Sequence, residues 1–168
     1  AEKLLHLGAK PITLSDSGGF IHSSNGLTQE QIDWIKVLKV ERRGRIAEAA
    51  NEFPGISFHE NSRPWSVDAN CAIPCATQNE VSLADATTMI TNGVKAIAEG
   101  ANMPCEQPAV EAFQDAGILF GPAKAVNAGG VGVSGLEMSQ NSGRISWQPE
   151  RLRELLENMM GEIHDSCV

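Results

Sequence analysis

The stretch Lys124–Asn141 limits what this chain can fold into more than any other segment. It places Gly129, Gly130, Gly132 and Gly135 among small and polar residues where a helix should begin. Residues without bulk let backbone come close to a ligand or to another helix. Two other short polar segments resemble it in context. Pro74-Cys75-Ala76-Thr77-Gln78-Asn79 and Glu99-Gly100-Ala101-Asn102-Met103-Pro104 each follow an apolar run. Ligands of open α/β sheets bind at the carboxyl ends of strands, in such segments.

The rest of the chain supports that architecture. Strands are expected at Lys10–Ser15, Ile56–Phe58, Ala69–Ile73, Val94–Ala98 and Ile118–Phe120, with a short extended piece at Phe20–His22. Helices are expected between them. One runs from Thr28 to Val40, opened by the Thr28/Gln31 capping signature, with Trp34, Ile35 and Leu38 on its apolar side. Others cover Arg45–Asn51, Ser82–Asn92 (closed by Gly93), Gln107–Ala116 and a long segment from Lys124 to Arg144. A last helix has Pro149 in its first turn, where a missing N–H costs nothing. Alternating strands and helices give an α/β fold with a mostly parallel sheet. At 168 residues the chain fits one domain, and no linker divides it.

Charge and composition exclude several partners. The net charge of −8 argues against nucleic acid, whose phosphates need a basic face. No apolar run is long enough for a membrane span, and a cytoplasmic location is expected. Cys71, Cys75, Cys105 and Cys167 lack the spacing of a zinc ribbon and read as buried or half-buried thiols, with Cys75 the one candidate for reactivity. His6, His22, His59 and His164 share no metal-ligand spacing, so no metal is expected. Gly130-Val131-Gly132-Val133-Ser134-Gly135 matches the G-x-G-x-x-G pattern. That fingerprint needs a strand directly before it and an acid at the end of the next strand. Here the preceding strand ends near Phe120, and the sequence beyond is helical, so the match is not read as a pyrophosphate cradle. The plainer reading is close packing of helices through small residues.

In order and spacing, the three polar segments closely resemble the dinucleotide-binding domain of the hexameric glutamate dehydrogenases, part of a family that also acts on leucine, phenylalanine and valine. The resemblance runs nearly end to end and implies a Rossmann-like fold. It implies that residues 1–168 are part of an NAD(P)-binding domain, without the first strand and its glycine fingerprint and without the N-terminal substrate and oligomerisation domain. Ala1–Leu7, closed by Gly8, then reads as the end of a helix, and both termini look cut. The implied reaction is reversible reductive amination of 2-oxoglutarate to glutamate, with ammonia and a reduced nicotinamide cofactor.

The resemblance also assigns residues. The serine matching Ser134 binds a substrate carboxylate, and the position of Val131 packs on the substrate's aliphatic part. Asn127 lies near the nicotinamide. The asparagine matching Asn102 bonds the nicotinamide ribose; its plainer reading is a left-handed turn residue. Ala76, Thr77 and Gln78 offer hydrogen bonds with little bulk, which suits contact with the same ribose; their plainer reading is a helix-capping loop. Ser15, Asp16 and Ser17 end the strand that contacts the adenosine ribose. An acid there favours NAD by accepting the 2′-hydroxyl, whereas Lys39, Arg42 and Arg45 suit a 2′-phosphate. The pattern resembles NADP-using bacterial enzymes, so NADP is expected, with NAD as the alternative. The catalytic lysine and aspartate belong to the absent domain, so no catalytic residue is expected here and the fragment alone should be inactive. The parent should be a homohexamer; the state of the fragment is open. The competing functions are a leucine, phenylalanine or valine dehydrogenase, against which Ser134 discriminates, and a non-catalytic dinucleotide-binding module.

Overall fold

The computed structural model describes residues 1–167. The chain forms two compact units, Ala1–Ala69 and Asn70–Val168.

The first unit holds helices α1 (Glu2–His6), α2 (Gln29–Val40) and α3 (Glu48–Glu52), and strands β1 (Thr13–Asp16), β2 (Gly19–His22) and β3 (Ser57–Glu60). A 3-10 turn covers Pro64–Ser66. The strands form one antiparallel sheet in the order β1-β2-β3. Its first hairpin is set by Asp16-Ser17-Gly18-Gly19. Two residues between paired Asp16 and Gly19 can return the chain only antiparallel. The Asp16 carboxylate accepts the Gly18 N–H at 2.9 Å and fixes that turn. Gly19 has φ +144°, and a Cβ there would collide with the His59 carbonyl. The parallel sheet expected from strand–helix alternation is therefore not in this unit.

The capping box at Thr28 forms as expected. The Gln31 N–H donates to Thr28 Oγ1 at 3.2 Å, and the Thr28 N–H donates to Gln31 Oε1 at 2.9 Å. The core joins Ile21 of β2, Ile32 and Ile35 of α2, and Ile46, Ala49 and Ile56, all buried. Trp34 meets Phe53 edge-on, ring centroids 5.4 Å apart.

The second unit carries the parallel sheet. Strands β4 (Cys71–Ala72), β5 (Ala96–Ala98) and β6 (Leu119–Gly121) lie in that order, with Ala72 beside Ile97 and Ile97 beside Phe120. Between them run α4 (Leu83–Thr91) and α5 (Gln107–Asp115), which pack on each other. β4 is much shorter than the five residues expected, because Ile73 and Pro74 already turn into the next loop. Ser82 and Asp85 form a second capping box, and the chain leaves α4 through Gly93 at φ +80°. Buried Val81, Ala86, Met89, Ile97 and Phe113 form the core.

The long helix expected from Lys124 is two helices, α6 (Ala123–Val126) and α7 (Ala128–Gly143), broken at Asn127. Helix α8 (Pro149–Cys167) follows and packs on α7. The G-x-G-x-x-G match lies inside α7, where backbone N–H groups are spent on helical hydrogen bonds. A Cβ on Gly132 would stand 2.5 Å from Met159 Sδ of α8, so this glycine permits close helix contact.

Among the described residues no helix is long and apolar enough to cross a membrane, and no His/Cys/Asp/Glu group is arranged to hold a metal ion. The thiol expectation holds for Cys105, which is buried, but Cys71, Cys75 and Cys167 are exposed.

Candidate functional site

The first unit gathers charge at the end of β1. Asp16 Oδ2 accepts Lys39 Nζ at 2.8 Å and the Ile46 N–H at 3.0 Å, while Oδ1 accepts the Gly18 N–H. Burial pushes its pKa up, but the Lys39 ammonium and the two N–H donors outweigh burial and hold it below the usual carboxylate value. An ionised carboxylate offers about four acceptor positions, so most of Asp16's capacity is taken inside the protein. Lys39 also donates to the Gly44 carbonyl at 3.1 Å. Asp16 and Lys39, read from the sequence as opponents over the cofactor's 2′ position, thus neutralise each other.

Arg45 remains beside them. Its Nη1 donates to Ser17 Oγ at 2.7 Å, and both residues line an open cleft of about 330 Å³ with Asp16, Gly18, Ala47, Phe58 and Glu60. Arg42 is exposed just after α2 but does not line the cleft. Ser15 is exposed and is not among the cleft residues; successive side chains on a strand point to opposite faces, and Asp16 takes the inner one. A guanidinium with a hydroxyl, next to a neutralised acid, can hold a phosphate monoester.

The second unit brings the other expected residues together at the carboxyl ends of its strands. Ala76, Thr77 and Gln78 are exposed on the loop after β4. Buried Glu80 closes that loop by accepting the Ala76 N–H at 2.8 Å. The loop after β5 is tied to it. The Pro74 carbonyl accepts the N–H groups of Gly100 (2.9 Å) and Ala101 (3.0 Å), and the Asn79 N–H donates to the Met103 carbonyl at 3.0 Å. The left-handed residues here are Asn79 and Met103, at φ 55° and 48°, and not Asn102. The turn reading therefore fails for Asn102. Its side-chain oxygen accepts Asn127 Nδ2 at 2.6 Å instead, and this amide pair joins the β5 loop to the break between α6 and α7.

From that break α7 presents one open face. Val131 is 74% exposed and Ser134 is exposed, while Gly130 and Gly135 have nothing near where a Cβ would be. Asn127, Gly130, Val131 and Ser134 share this side because residues three and four apart stack on a helix. Ser134 Oγ reaches only the Gly130 carbonyl, at 3.4 Å, which leaves the hydroxyl available to a ligand. Cys75 does not gain reactivity. Desolvation and the Glu80 carboxylate push its thiol pKa up, away from the thiolate.

Sequence reading passed over Glu80 and Glu99, the buried acids that hold these loops. The available signal was an acid directly after Ala96-Ile97-Ala98 and another directly before Val81, where burial should exclude charge.

A parallel α/β unit with helices between its strands and polar loops at their carboxyl ends has the architecture of a truncated Rossmann-like domain. The model of the glutamate/leucine/phenylalanine/valine dehydrogenases matches residues 1–168, and the chain belongs to this family. It is 54% identical over 167 residues to the NAD(P)-specific glutamate dehydrogenase of Xylanibacter ruminicola, covering 99% of this chain and 37% of that protein. It is 48% identical over 167 residues to the NADP-specific glutamate dehydrogenase of Escherichia coli, with the same coverage. The structure of Plasmodium falciparum glutamate dehydrogenase superposes with a TM-score of 0.94 at 43% identity, over 99% of this chain and 36% of that one. The chain thus spans little more than a third of the length of the relatives it matches.

Proposed function

We propose that residues 1–168 are the dinucleotide-binding part of a cytoplasmic, bacterial-type glutamate dehydrogenase that uses NADP, interconverting 2-oxoglutarate plus ammonia with L-glutamate. Family membership and the names of its relatives support the reaction. The observation that carries the cofactor reading is the neutralisation of Asp16 by Lys39 beside the Arg45–Ser17 pair. Free, Asp16 would accept a 2′-hydroxyl and repel a 2′-phosphate. Bonded to Lys39, it does neither strongly, and Arg45 with Ser17 is left to receive the phosphate.

When bound, the nicotinamide cofactor supplies the hydride of the reaction. This chain's residues bind and orient. Ala76, Thr77, Gln78 and Asn102 hold the nicotinamide ribose, and Asn127 lies beside the ring. Ser134 takes one substrate carboxylate and Val131 covers the substrate's aliphatic carbons. A second carboxylate needs a polar partner, so Ser134 favours glutamate over leucine, phenylalanine or valine. No residue here serves as the acid or base. The chain alone is therefore inactive, and the complete enzyme is a homohexamer through segments outside it.

The test is the initial rate of 2-oxoglutarate amination by the complete gene product, with NADPH and NADH side by side and this chain as control. Activity favouring NADPH, with none from the isolated chain, is expected. Preference for NADH would overturn the cofactor reading. Activity only with branched or aromatic keto acids would overturn the substrate.

A further inference from the structure

Glu99 directly follows β5 and is 5% exposed, yet it takes part in none of the ion pairs among the described residues. Burying a carboxylate without a cation is costly unless hydrogen bonds replace its water. Glu99 has such bonds from two directions. Oε2 accepts the N–H of Ala123, the first residue of α6, at 2.9 Å. Oε1 accepts the Cys105 N–H at 3.3 Å, at the far end of the Gly100–Cys105 loop. The Cys105 thiol is also bonded to Glu99; burial, then this bond, pushes its pKa up to about 12. Glu99 is fixed in turn by its own N–H, which donates to the Gly121 carbonyl of β6 at 3.0 Å.

The segments held by these two oxygens are the ones that carry Asn102 and Asn127. The loop bearing Asn102 is anchored at its start by the Pro74 carbonyl and at its end by Glu99. The helix start that leads to Asn127 four residues later is anchored by Glu99 alone of the side chains named. We propose that Glu99 is a positioning residue for cofactor binding, setting the α6 start against the β5 loop so that the Asn102–Asn127 amide pair forms. This rests on the reading above that those two asparagines serve the nicotinamide end of the cofactor. A carboxylate suits the role because its two oxygens each accept an N–H. A glutamine accepts with one and turns an NH₂ toward the other donor.

The experiment is a double-mutant cycle in the complete gene product. NADPH dissociation constants and thermal midpoints are measured for wild type, Glu99→Gln, Asn127→Ala and the double variant. Glu99→Gln should weaken NADPH binding by about tenfold, and the double variant should bind within about twofold of the weaker single, since residues acting through one another are not additive. A merely structural Glu99 would lower the midpoint and leave the dissociation constant unchanged, or would multiply with Asn127→Ala; either result overturns the proposal. Glu99→Asp keeps the carboxylate but withdraws it from one donor, and it enters the same cycle if Glu99→Gln does not fold. If wild type does not bind NADPH at all, the functional reading falls and this inference with it. If wild type binds and only the cycle fails, this inference falls alone.

Discussion

Replacing Lys39 by methionine keeps the length of the side chain and removes its charge. Asp16 would then face the cleft with two N–H donors and no cation. Its side chain is only 12% exposed, so water replaces the lost ammonium poorly. Take a 2′-phosphate bound by Arg45 at about 8 Å from that carboxylate. At an effective dielectric of about 20 the repulsion is then about 2 kcal/mol per unit charge. Salt at physiological strength, with a screening length of about 8 Å, would cut this to about a third between exposed charges, but acts less on a part-buried carboxylate, so about half is kept. For a phosphate carrying about −1.5 to −2 charge, the penalty is about 1.5–2 kcal/mol, or ten- to thirtyfold in affinity. NADH has no such phosphate, and its 2′-hydroxyl can donate to the freed carboxylate, so it should bind at least as well as before. The assay is the ratio of kcat/KM for NADPH to that for NADH in the complete gene product. Lys39→Met should lower the ratio about ten- to thirtyfold, and adding Asp16→Asn should restore most of it. A ratio unchanged within about twofold would refute the idea that Lys39 shields the pocket from Asp16.

Three further outcomes test local geometry. The Cys105 thiol, with its pKa near 12, keeps its proton where the unfolded thiol has lost it. Its contribution to stability should therefore be full below the ordinary thiol value of 9.0 and decline as pH rises through that range, and a Cys105→Ala variant should show less alkaline loss by denaturant titration. Gly19→Ala should cost about 2–3 kcal/mol, because the new methyl meets the His59 carbonyl at a backbone angle alanine avoids; a loss under about 0.5 kcal/mol would contradict that geometry. Arg144 ends α7 at φ 50°, where glycine is favoured, so Arg144→Gly should raise stability by about 1 kcal/mol in the same titration.

What the sequence made legible was local. Thr28 with Gln31 announces a helix start because both halves of its capping box lie within four residues, and Ser82 marks a second start whose partner Asp85 the structure supplies. The false glycine fingerprint could be set aside because no strand precedes Gly130. The antiparallel hairpin was less visible, since strand–helix alternation favours parallel pairing and the overriding signal is a two-residue turn at Ser17-Gly18. The site was legible as a set of loops but not as a network. Asn102 and Asn127 are 25 residues apart, and Asp16 and Lys39 are 23 apart, so neither pairing has a spacing signature. Glu80 and Glu99 were missed because an acid in a sequence reads as solvated until the fold around it is known.

The contact between α7 and α8 carries a chemical liability. Gly132 leaves a gap that Met159 sulfur fills, and Gly129 faces Met160 sulfur in the same way, its Cβ position 3.5 Å from Sδ. Thioethers are oxidised to sulfoxides that are larger and polar. An oxygen added to Met159 on its Gly132 side would have to occupy the space that the glycine vacated, and α8 would have to lift from α7 to admit it. The small residues that let the helices close thus also place two oxidisable sulfurs behind the helix that carries Val131 and Ser134.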